Sequence, residues 1–375
     1  MPIAFTPSKP LTLGVELELQ LVDWRRDYDR CPGAPKVFER LGGEHPHIKH
    51  EIFQSMVEID TGICATVAEV TRDLGAAHAT LRAACDDLGL CLAGGGTHPF
   101  ARFQERLLFP SERYRELLAR NRWLARRLSI FGLHVHLGMR DGDHAIAMMN
   151  AIGPYLGHLL ALSSSSPFWN GHETGLASSR VTVFEAVPTA GTPPTFERWS
   201  EFETLFDVLV RSRAVTSVKD LWWDMRPSPG YGTLEIRICD APATLSEVSA
   251  IVALLFCLAT ELDADHRDGR RFAPVPSWLL RENKWRAARH GVDADLVVDT
   301  TGDTALARDD LARMVDRLLP TARRLGCEGE LRRVDGMLAG GCSYERQRRL
   351  FAETLSLPSV AQALVDELRR DEALR

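Results

Sequence analysis

Three segments alternate strictly between apolar and polar residues, and this pattern constrains the fold most strongly. They are residues 11–22 (LTLGVELELQLV), 131–138 (FGLHVHLG) and 233–239 (TLEIRIC). Because successive side chains of a β-strand point to opposite faces, each segment predicts a strand with one apolar and one polar face. Strands of a doubly wound parallel sheet have nearly continuous apolar sequences instead. The alternation therefore favours an α+β fold: a curved, largely antiparallel sheet with helices on its convex face and an open, polar concave face.

The chain shows no linker that would divide it into separate domains. Thr244 and Glu247 have the spacing of a capping box ahead of a long apolar stretch, which predicts a helix start. Beyond about residue 260 the patterns are mostly helical. We expect a single domain over 1–375, with a sheet-containing core at 11–260 and a mostly helical part at 261–375 that packs on it.

Charge and apolar patterning exclude two classes of protein. The chain has 45 Lys and Arg residues against 51 Asp and Glu, a net charge of −6, which gives no electrostatic sign of nucleic-acid binding. Its longest apolar run, 248–259, is shorter than the roughly 18–20 residues of a membrane-spanning helix, and the N-terminus shows no secretory signal. The eight cysteines form no C-x-x-C pair, which argues against a zinc site, and the lack of an export signal favours reduced thiols. We expect a cytoplasmic protein without nucleic-acid or membrane partners.

Two glutamates share the polar face of the first predicted strand. Glu16 and Glu18 lie two residues apart, so their attachment points are separated by roughly 6.5–7 Å. Carboxylates held this close repel each other, and a bound cation or arginines relieve that repulsion. Oxygen ligands of this kind suit Mg²⁺ or Mn²⁺. The alternative is an exposed strand face on which glutamate is harmless.

Two histidines share the polar face of the second predicted strand. His134 and His136 form an H-x-H motif, and neither an H-E-x-x-H motif nor a cysteine partner supports zinc. Beside a carboxylate cluster, they fit Mg²⁺ or Mn²⁺ ligation or contact with a phosphate. The alternative is a pair of half-buried structural histidines with satisfied hydrogen bonds.

The third predicted strand carries a carboxylate and a guanidinium on one face. Glu235 could hold a metal ion, and Arg237 could hold a phosphate or a substrate carboxylate, which is the combination that phosphoryl transfer requires. An isolated pair of this kind could equally be a cross-strand salt bridge. The same one-sided chemistry on three strands makes coincidence a poor explanation.

Three further residues are candidates for the same site. Glu51 and Glu58 flank the segment EIFQSMVEI, and strand parity favours Glu58 over Glu51 as a member of the metal cluster. Arg180 follows a loop-like stretch at 163–179 and opens the alternating residues 180–183, which predicts a strand start. There Arg180 could clamp an anionic group, or it could be an ordinary surface arginine.

Five ordered motifs resemble one known family. They are GVELE at 14–18, GTHPF at 96–100, GLHVH at 132–136, SPFWNG at 166–171 and GTLEIR at 232–237. The sequence resembles the type 2 glutamate–cysteine ligase family and is most similar to its bacterial carboxylate–amine ligase branch. The resemblance extends from about residue 11 to beyond residue 350.

The resemblance implies a catalytic domain similar to that of glutamine synthetase, with metal ions on the concave face of the sheet. By motif, it implies these metal ligands bridging ATP phosphates: Glu16, Glu18, Glu58, His134 and Glu235. It also implies that Arg180 and Arg237 are catalytic and contact the transferred phosphoryl group or the substrate carboxylate. These two arginines and His136 would bind the ATP cofactor.

The implied activity is ATP-dependent formation of an amide, with Mg²⁺ or Mn²⁺ as the metal. A substrate carboxylate, that of a glutamate side chain, attacks the γ-phosphorus of ATP to give an acyl phosphate. The amine of a second substrate then displaces phosphate, and weak glutamate–cysteine ligase activity would follow. The resemblance also suggests a homodimer acting on small amino-acid and amine substrates. Two alternatives stay open: a metal-dependent hydrolase or amidase, and a nucleotide-binding regulatory protein without turnover.

Overall fold

A large sheet with helices packed against it forms the centre of the computed structural model, which describes residues 3–374. The strands are β1 Leu13–Asp23, β2 Asp29–Arg30, β3 Ile48–His50, β4 Met56–Asp60, β5 Cys91–Ala93, β6 Gly132–Gly138, β7 Phe168–Trp169, β8 His172–Glu173, β9 Ala190–Gly191, β10 Trp222–Trp223, β11 Met225–Ser228, β12 Thr233–Asp240, β13 Asp295–Val297 and β14 Thr304–Leu306. The helices are α1 Ala34–Arg40, α2 Val67–Asp87, α3 Glu112–Asn121, α4 Trp123–Arg126, α5 Gly142–Ile152, α6 Leu156–Ser163, α7 Arg180–Phe184, α8 Trp199–Arg211, α9 Leu245–Arg267, α10 Ser277–His290, α11 Ala307–Leu325, α12 Glu328–Gly340, α13 Ser343–Thr354 and α14 Leu357–Arg370.

The large sheet is antiparallel in every pair of its strands. Its order is β11-β12-β6-β1-β4-β3, and β2 and β5 pair with the C-terminal end of β1. The three segments predicted as strands are β1, β6 and β12, which are adjacent in the sheet. The predicted α+β class with an antiparallel sheet is therefore confirmed. Three small two-stranded sheets, β7–β8, β9–β10 and β13–β14, lie outside the large one.

The apolar face of the sheet is covered by helices. Val15, Leu17 and Leu19 of β1 are essentially unexposed. Helix α2 packs on β1 and β4, while α5 and α6 pack on β12. Burying each such side chain stabilises the fold by about 1.5–3 kcal/mol, so the apolar residues of the alternation fix which face is covered. The polar residues are left on the opposite face.

Helix α9 lies at the centre of the helical layer and contacts α2, α5, α11 and α12. It begins with the predicted capping box, in which Thr244 and Glu247 each accept a backbone N–H bond from the other. By length and composition, α9 and the helical stretch 142–163 could cross a membrane, but 78% of the most apolar window of each is buried inside the protein. Burial of that kind is typical of core helices.

Residues beyond α9 form α10 to α14 and the β13–β14 pair. Helices α11 and α12 pack on α9, and α14 packs on β5. We retain a single catalytic domain over 1–375 as a proposal, with 261–375 bracing the core at 11–260, because these contacts join the two parts directly. All eight cysteines lie among the described residues and are free.

Candidate active site

The polar face of the sheet forms the floor of a cavity of about 1150 Å³. Every site residue predicted from the sequence lines this cavity: Glu16, Glu18, Glu58, His134, His136, Arg180, Glu235 and Arg237. Its walls come from α3, from residues 43–52 and from residues 216–222. The structure thus brings together side chains from four strands of the sheet and from α7.

Strand register explains why these side chains meet. In β1, Glu16 is directly opposite His134 of β6, and Glu18 is opposite Glu58 of β4. Glu235 of β12 is opposite the second histidine of β6. Directly opposed residues of antiparallel strands have Cβ atoms about 4.5–5.5 Å apart. Register alone therefore gathers carboxylates and imidazoles into one continuous row.

Three groups in this row have ligand atoms within 4.8 Å of one another, a spacing at which they could hold a metal ion. The groups are Glu16, His136 and Glu235; Glu16, Glu58 and His134; and Glu18, Glu51 and Glu58. Glu16 belongs to two groups and Glu58 to two, so the three groups are linked. One group has carboxylates alone and the other two have two carboxylates and one imidazole, and such sets suit hard divalent cations.

His136 provides an independent test of whether a cation fits. Its Nδ1 atom lies 2.8 Å from Thr233 Oγ1, while its Nε2 atom is buried and has no hydrogen-bond partner among residues 3–374. That Nε2 atom is 3.6 Å from Glu16 Oε1 and 4.0 Å from Glu235 Oε1. A buried polar atom is normally hydrogen-bonded. An unpartnered nitrogen aimed between two carboxylates is therefore well placed to bind a cation.

The end of the row near β4 carries a surplus of negative charge. Burial, reinforced by the charge of Glu18, raises the pKa of Glu51 to about 8. Burial and the neighbouring glutamates, Glu16 first, raise the pKa of Glu58 well above its ordinary value. The nearest cation is Lys49 Nζ, which is 3.8 Å from Glu58 Oε1 and also pairs with Asp60. This end lacks enough positive charge to balance its carboxylates.

The other end of the row is balanced by arginines. Arg226 Nε donates to Glu235 Oε2 at 2.8 Å, and Arg237 donates to the other carboxylate oxygen of Glu235. Burial alone would raise the pKa of Glu235, but the two guanidinium groups, that of Arg237 first, hold it well below its ordinary range. Glu235 is therefore ionised and its charge is neutralised by protein groups.

Glu16 lies between these two ends and is stabilised by imidazoles. Burial opposes its ionisation, but the interactions with His134 and His136 outweigh that effect and hold the pKa of Glu16 well below its ordinary value. His134 Nδ1 is 3.2 Å from Glu16 Oε2. Burial, and then the charge of Arg237, lower the pKa of His134. A neutral imidazole beside an ionised carboxylate is a competent ligand pair.

Arg180 reaches the site from a helix, so the predicted strand start was wrong. It is the first residue of α7, and its buried guanidinium donates to the carbonyl oxygens of Arg237 and Ile238 at 3.3 Å each. The side chain passes directly over Gly132, where a Cβ atom would lie 2.2 Å from an Arg180 nitrogen. Glycine at position 132 is therefore required for the arginine to reach β12.

Sequence reasoning missed one member of the row and undervalued another. Arg226 on β11 was not a candidate, although it is opposite Glu235 in the β11–β12 register. Glu51 was disfavoured by strand parity, yet it belongs to the group with Glu18 and Glu58. Glu51 follows the last residue of β3, outside any strand, so parity counted from β4 does not apply to it.

Comparisons with known proteins agree with this geometry. Residues 12–367 match the profile of glutamate-cysteine ligase family 2. The Bdellovibrio bacteriovorus protein named "Putative glutamate--cysteine ligase 2" is 46% identical over 370 residues, covering 99% of this chain and 98% of that protein. A bifunctional glutathione synthetase from Pasteurella multocida has a similar fold, with a TM-score of 0.67, 14% identity and coverage of 96% of this chain and 52% of that chain. Glutamate–cysteine ligase from Francisella tularensis, solved with AMP, gives a TM-score of 0.65, 11% identity and coverage of 97% and 90%.

The antiparallel sheet with carboxylates, histidines and arginines on one face agrees with the predicted fold, and the two solved structures share that fold. The chain belongs to glutamate–cysteine ligase family 2. It is therefore an ATP-dependent carbon–nitrogen ligase that uses ATP, a divalent metal ion and small-molecule substrates.

Proposed function

We propose that the protein is a cytoplasmic carboxylate–amine ligase that forms a γ-glutamyl-type amide through an acyl phosphate. The observation that carries this proposal is the linked row of three candidate cation groups beside Arg180 and Arg237, whose Nε atoms are buried. The phosphates of ATP need cations on one side and guanidinium groups on the other. The polar face of the sheet offers cation ligands and guanidinium groups next to each other.

The residues would act as follows. Glu16, Glu18, Glu58, His134 and Glu235 would hold Mg²⁺ or Mn²⁺, with Glu51 as a further ligand. Divalent cations bound there supply positive charge to the phosphate oxygens during transfer. His136 would contribute to ATP binding through the cation that its Nε2 atom would hold together with Glu16 and Glu235.

Arg180 and Arg237 would contact the transferred phosphoryl group. The Nε atoms of both arginines are buried and have no hydrogen-bond partner within the described part of the chain. Burying a guanidinium with an unmade hydrogen bond is costly, and an anionic ligand at this position would remove that cost. The two arginines would orient the substrate carboxylate in line with the γ-phosphorus and stabilise charge as the phosphoryl group moves.

The proposed reaction needs no covalent intermediate on the protein. The substrate carboxylate attacks the γ-phosphorus and ADP leaves. The amine nitrogen then attacks the acyl carbon, phosphate leaves, and the nitrogen loses a proton. A metal-dependent hydrolase would use the carboxylates and histidines but would leave Arg180 and Arg237 without an anion to bind. A regulatory protein without turnover would have little need for so many closely placed carboxylates.

The test is ADP release from ATP and Mg²⁺, with amino acids added singly and in pairs, glutamate plus cysteine included. ADP that appears only with a particular carboxylate and amine, together with a matching amide in the mass spectrum, supports the proposal. Amide cleavage without ATP would indicate the hydrolase instead. Tight ATP binding with no ADP from any pair would indicate the regulatory protein. A homodimer stays a prediction, which sedimentation of the purified protein would check.

A further inference from the structure

An ion cluster of Lys284, Asp224 and Glu185 lies outside the lining of the cavity. Lys284 of α10 is only 4% exposed, and its Nζ atom lies 2.7 and 2.8 Å from the two carboxylate oxygens of Asp224. The same Nζ atom is 2.7 Å from Glu185 Oε1. The two contacts to Asp224 are hydrogen bonds and the contact to Glu185 is an ion pair, so three carboxylate oxygens surround the ammonium. The proposed chemistry assigns no part to this cluster.

Asp224 connects the cluster to Arg237. Asp224 lies between β10 and β11, and its carbonyl oxygen accepts the backbone N–H of Arg237 at 2.8 Å. The side chain of Asp224 is held by Lys284 while its main chain holds β12. Any shift of Asp224 is therefore transmitted directly to the backbone that carries Arg237.

Glu185 connects the cluster to Arg180. Glu185 directly follows the last residue of α7, and Arg180 is the residue at which the helix begins. Five helical residues form a single short unit, about 7–8 Å long, that moves as one piece. Lys284 therefore holds the far end of the helix whose first residue reaches into the site.

We propose that Lys284 is a positioning residue that fixes Arg180 and Arg237 relative to each other for phosphoryl transfer. This inference rests on the proposed function. A buried ion pair contributes little net stability compared with well-packed apolar residues, so stability alone does not account for a lysine here. Its geometry does, because one ammonium joins two elements that each carry an arginine of the site. A misplacement of about 1 Å at such a site can lower turnover about a hundredfold.

The first test weakens the contact between Lys284 and Glu185, beside α7, without leaving a buried charge unpaired. Glu185 has a side chain 42% exposed, so Glu185→Gln weakens its bond to Lys284 and should not unfold the protein. We expect kcat to fall about tenfold, with KM for ATP within about twofold and the melting temperature nearly unchanged. Glu282→Gln is the matched control, because Glu282 is 41% exposed and accepts from Arg286 on the same helix at 2.7 Å. The control should keep wild-type kcat.

The second test varies the lysine itself. Lys284→Arg retains a cation that can bridge both carboxylates and should keep most of the activity. Lys284→Met leaves Asp224 buried and unpaired, so it is combined with Asp224→Asn to preserve folding. The double variant should melt cooperatively yet show the same loss of kcat as Glu185→Gln or a larger one.

The two proposals can fail separately. If wild-type protein releases no ADP with any substrate pair, the proposed function fails and this inference fails with it. If wild type is active and both Glu185→Gln and the double variant retain wild-type kcat, the positioning role is overturned and the proposed function stands. A loss of melting temperature with unchanged kcat in the folded fraction would show that the cluster is structural only.

Discussion

Carboxylates on the same sheet face are in opposite electrostatic states at the two ends of the site. At the end near β4, burial and neighbouring carboxylates raise the pKa of Glu51 to about 8 and raise that of Glu58 well above its ordinary value. At the end near β12, Arg237 and Arg226 hold the pKa of Glu235 well below its ordinary range despite burial. Glu58 and Glu235 are both glutamates on strands of this sheet, so the difference between them comes from their partners.

The comparison shows which end depends on a bound cation. Glu235 has its counter-charges in the protein, so it should stay ionised and ordered without metal. The group of Glu18, Glu51 and Glu58 has only Lys49 within 4 Å as a charged partner among residues 3–374. A divalent cation should therefore stabilise this acidic end far more than the arginine end.

The largest expected effect is on turnover, at the residue that joins the two ends. Glu16 belongs to two of the three candidate cation groups, so Glu16→Gln should lower kcat by about a thousandfold or more. ADP release under saturating ATP and Mg²⁺ is the measurement. Asp23→Asn, at the far end of the same strand and paired with the exposed Arg25, is the control and should be fully active. Comparable rates in the two variants would remove Glu16 from the site.

The next effect is on stability at the arginine end. Glu235→Gln leaves Arg226 and Arg237 buried without their counter-charge, which should lower the free energy of unfolding by about 3–5 kcal/mol. Urea denaturation measures it. Glu328 also pairs with two arginines, Arg323 and Arg332, but at the surface, so Glu328→Gln should change stability little. Equal effects of the two substitutions would contradict the account of this end.

At the end near β4, replacing a glutamate should raise the stability of the metal-free protein instead of lowering it. Glu58→Gln removes a carboxyl that burial keeps from ionising, so at pH 8.5 the metal-free variant should be more stable than wild type by about 1–2 kcal/mol. Thermal unfolding with and without 10 mM Mg²⁺ is the measurement. The variant should also lose most of the Mg²⁺-induced rise in melting temperature that wild type shows. Destabilisation of the metal-free variant would mean that Glu58 is ionised and paired.

The remaining effect is the pH dependence of the metal-free protein. A carboxyl whose pKa is higher in the folded chain binds its proton more tightly when folded. The stability that Glu51 contributes is therefore full below about pH 4 and is lost as the pH rises to about 8. We expect the melting temperature to fall between pH 6 and pH 9 without metal and to fall less with saturating Mg²⁺, which binds the ionised form. A rise over this range without metal would contradict the raised pKa.

Much of the sheet and the site could be predicted because register and alternation are local properties of the sequence. Alternation alone placed three pairs of residues on one face: Glu16 and Glu18, His134 and His136, and Glu235 and Arg237. The pairing of the strands then brought these residues together. Only the choice of neighbouring strands lay beyond the local pattern. That choice is known only from the sheet order of the folded chain.

The errors have physical causes. Residues 180–183 alternate like a strand, but four or five residues are too few to separate a period of 2 from one of 3.6, and they form α7. Arg226 precedes Pro227, which argues against a central strand, whereas β11 is an edge strand where proline is tolerated. Lys284 gives no sequence signal, because its partners are 60 and 99 residues away and meet it only in the folded chain.

The most direct measurement follows oxygen from the carboxylate substrate. The protein is incubated with ATP, Mg²⁺, the amine and a carboxylate substrate labelled with ¹⁸O, and the released phosphate is analysed by mass spectrometry. If the carboxylate attacks the γ-phosphorus, one labelled oxygen passes to phosphate for each amide that forms. Phosphate without label, alongside ADP release, would show that water attacks ATP and would contradict the ligase mechanism.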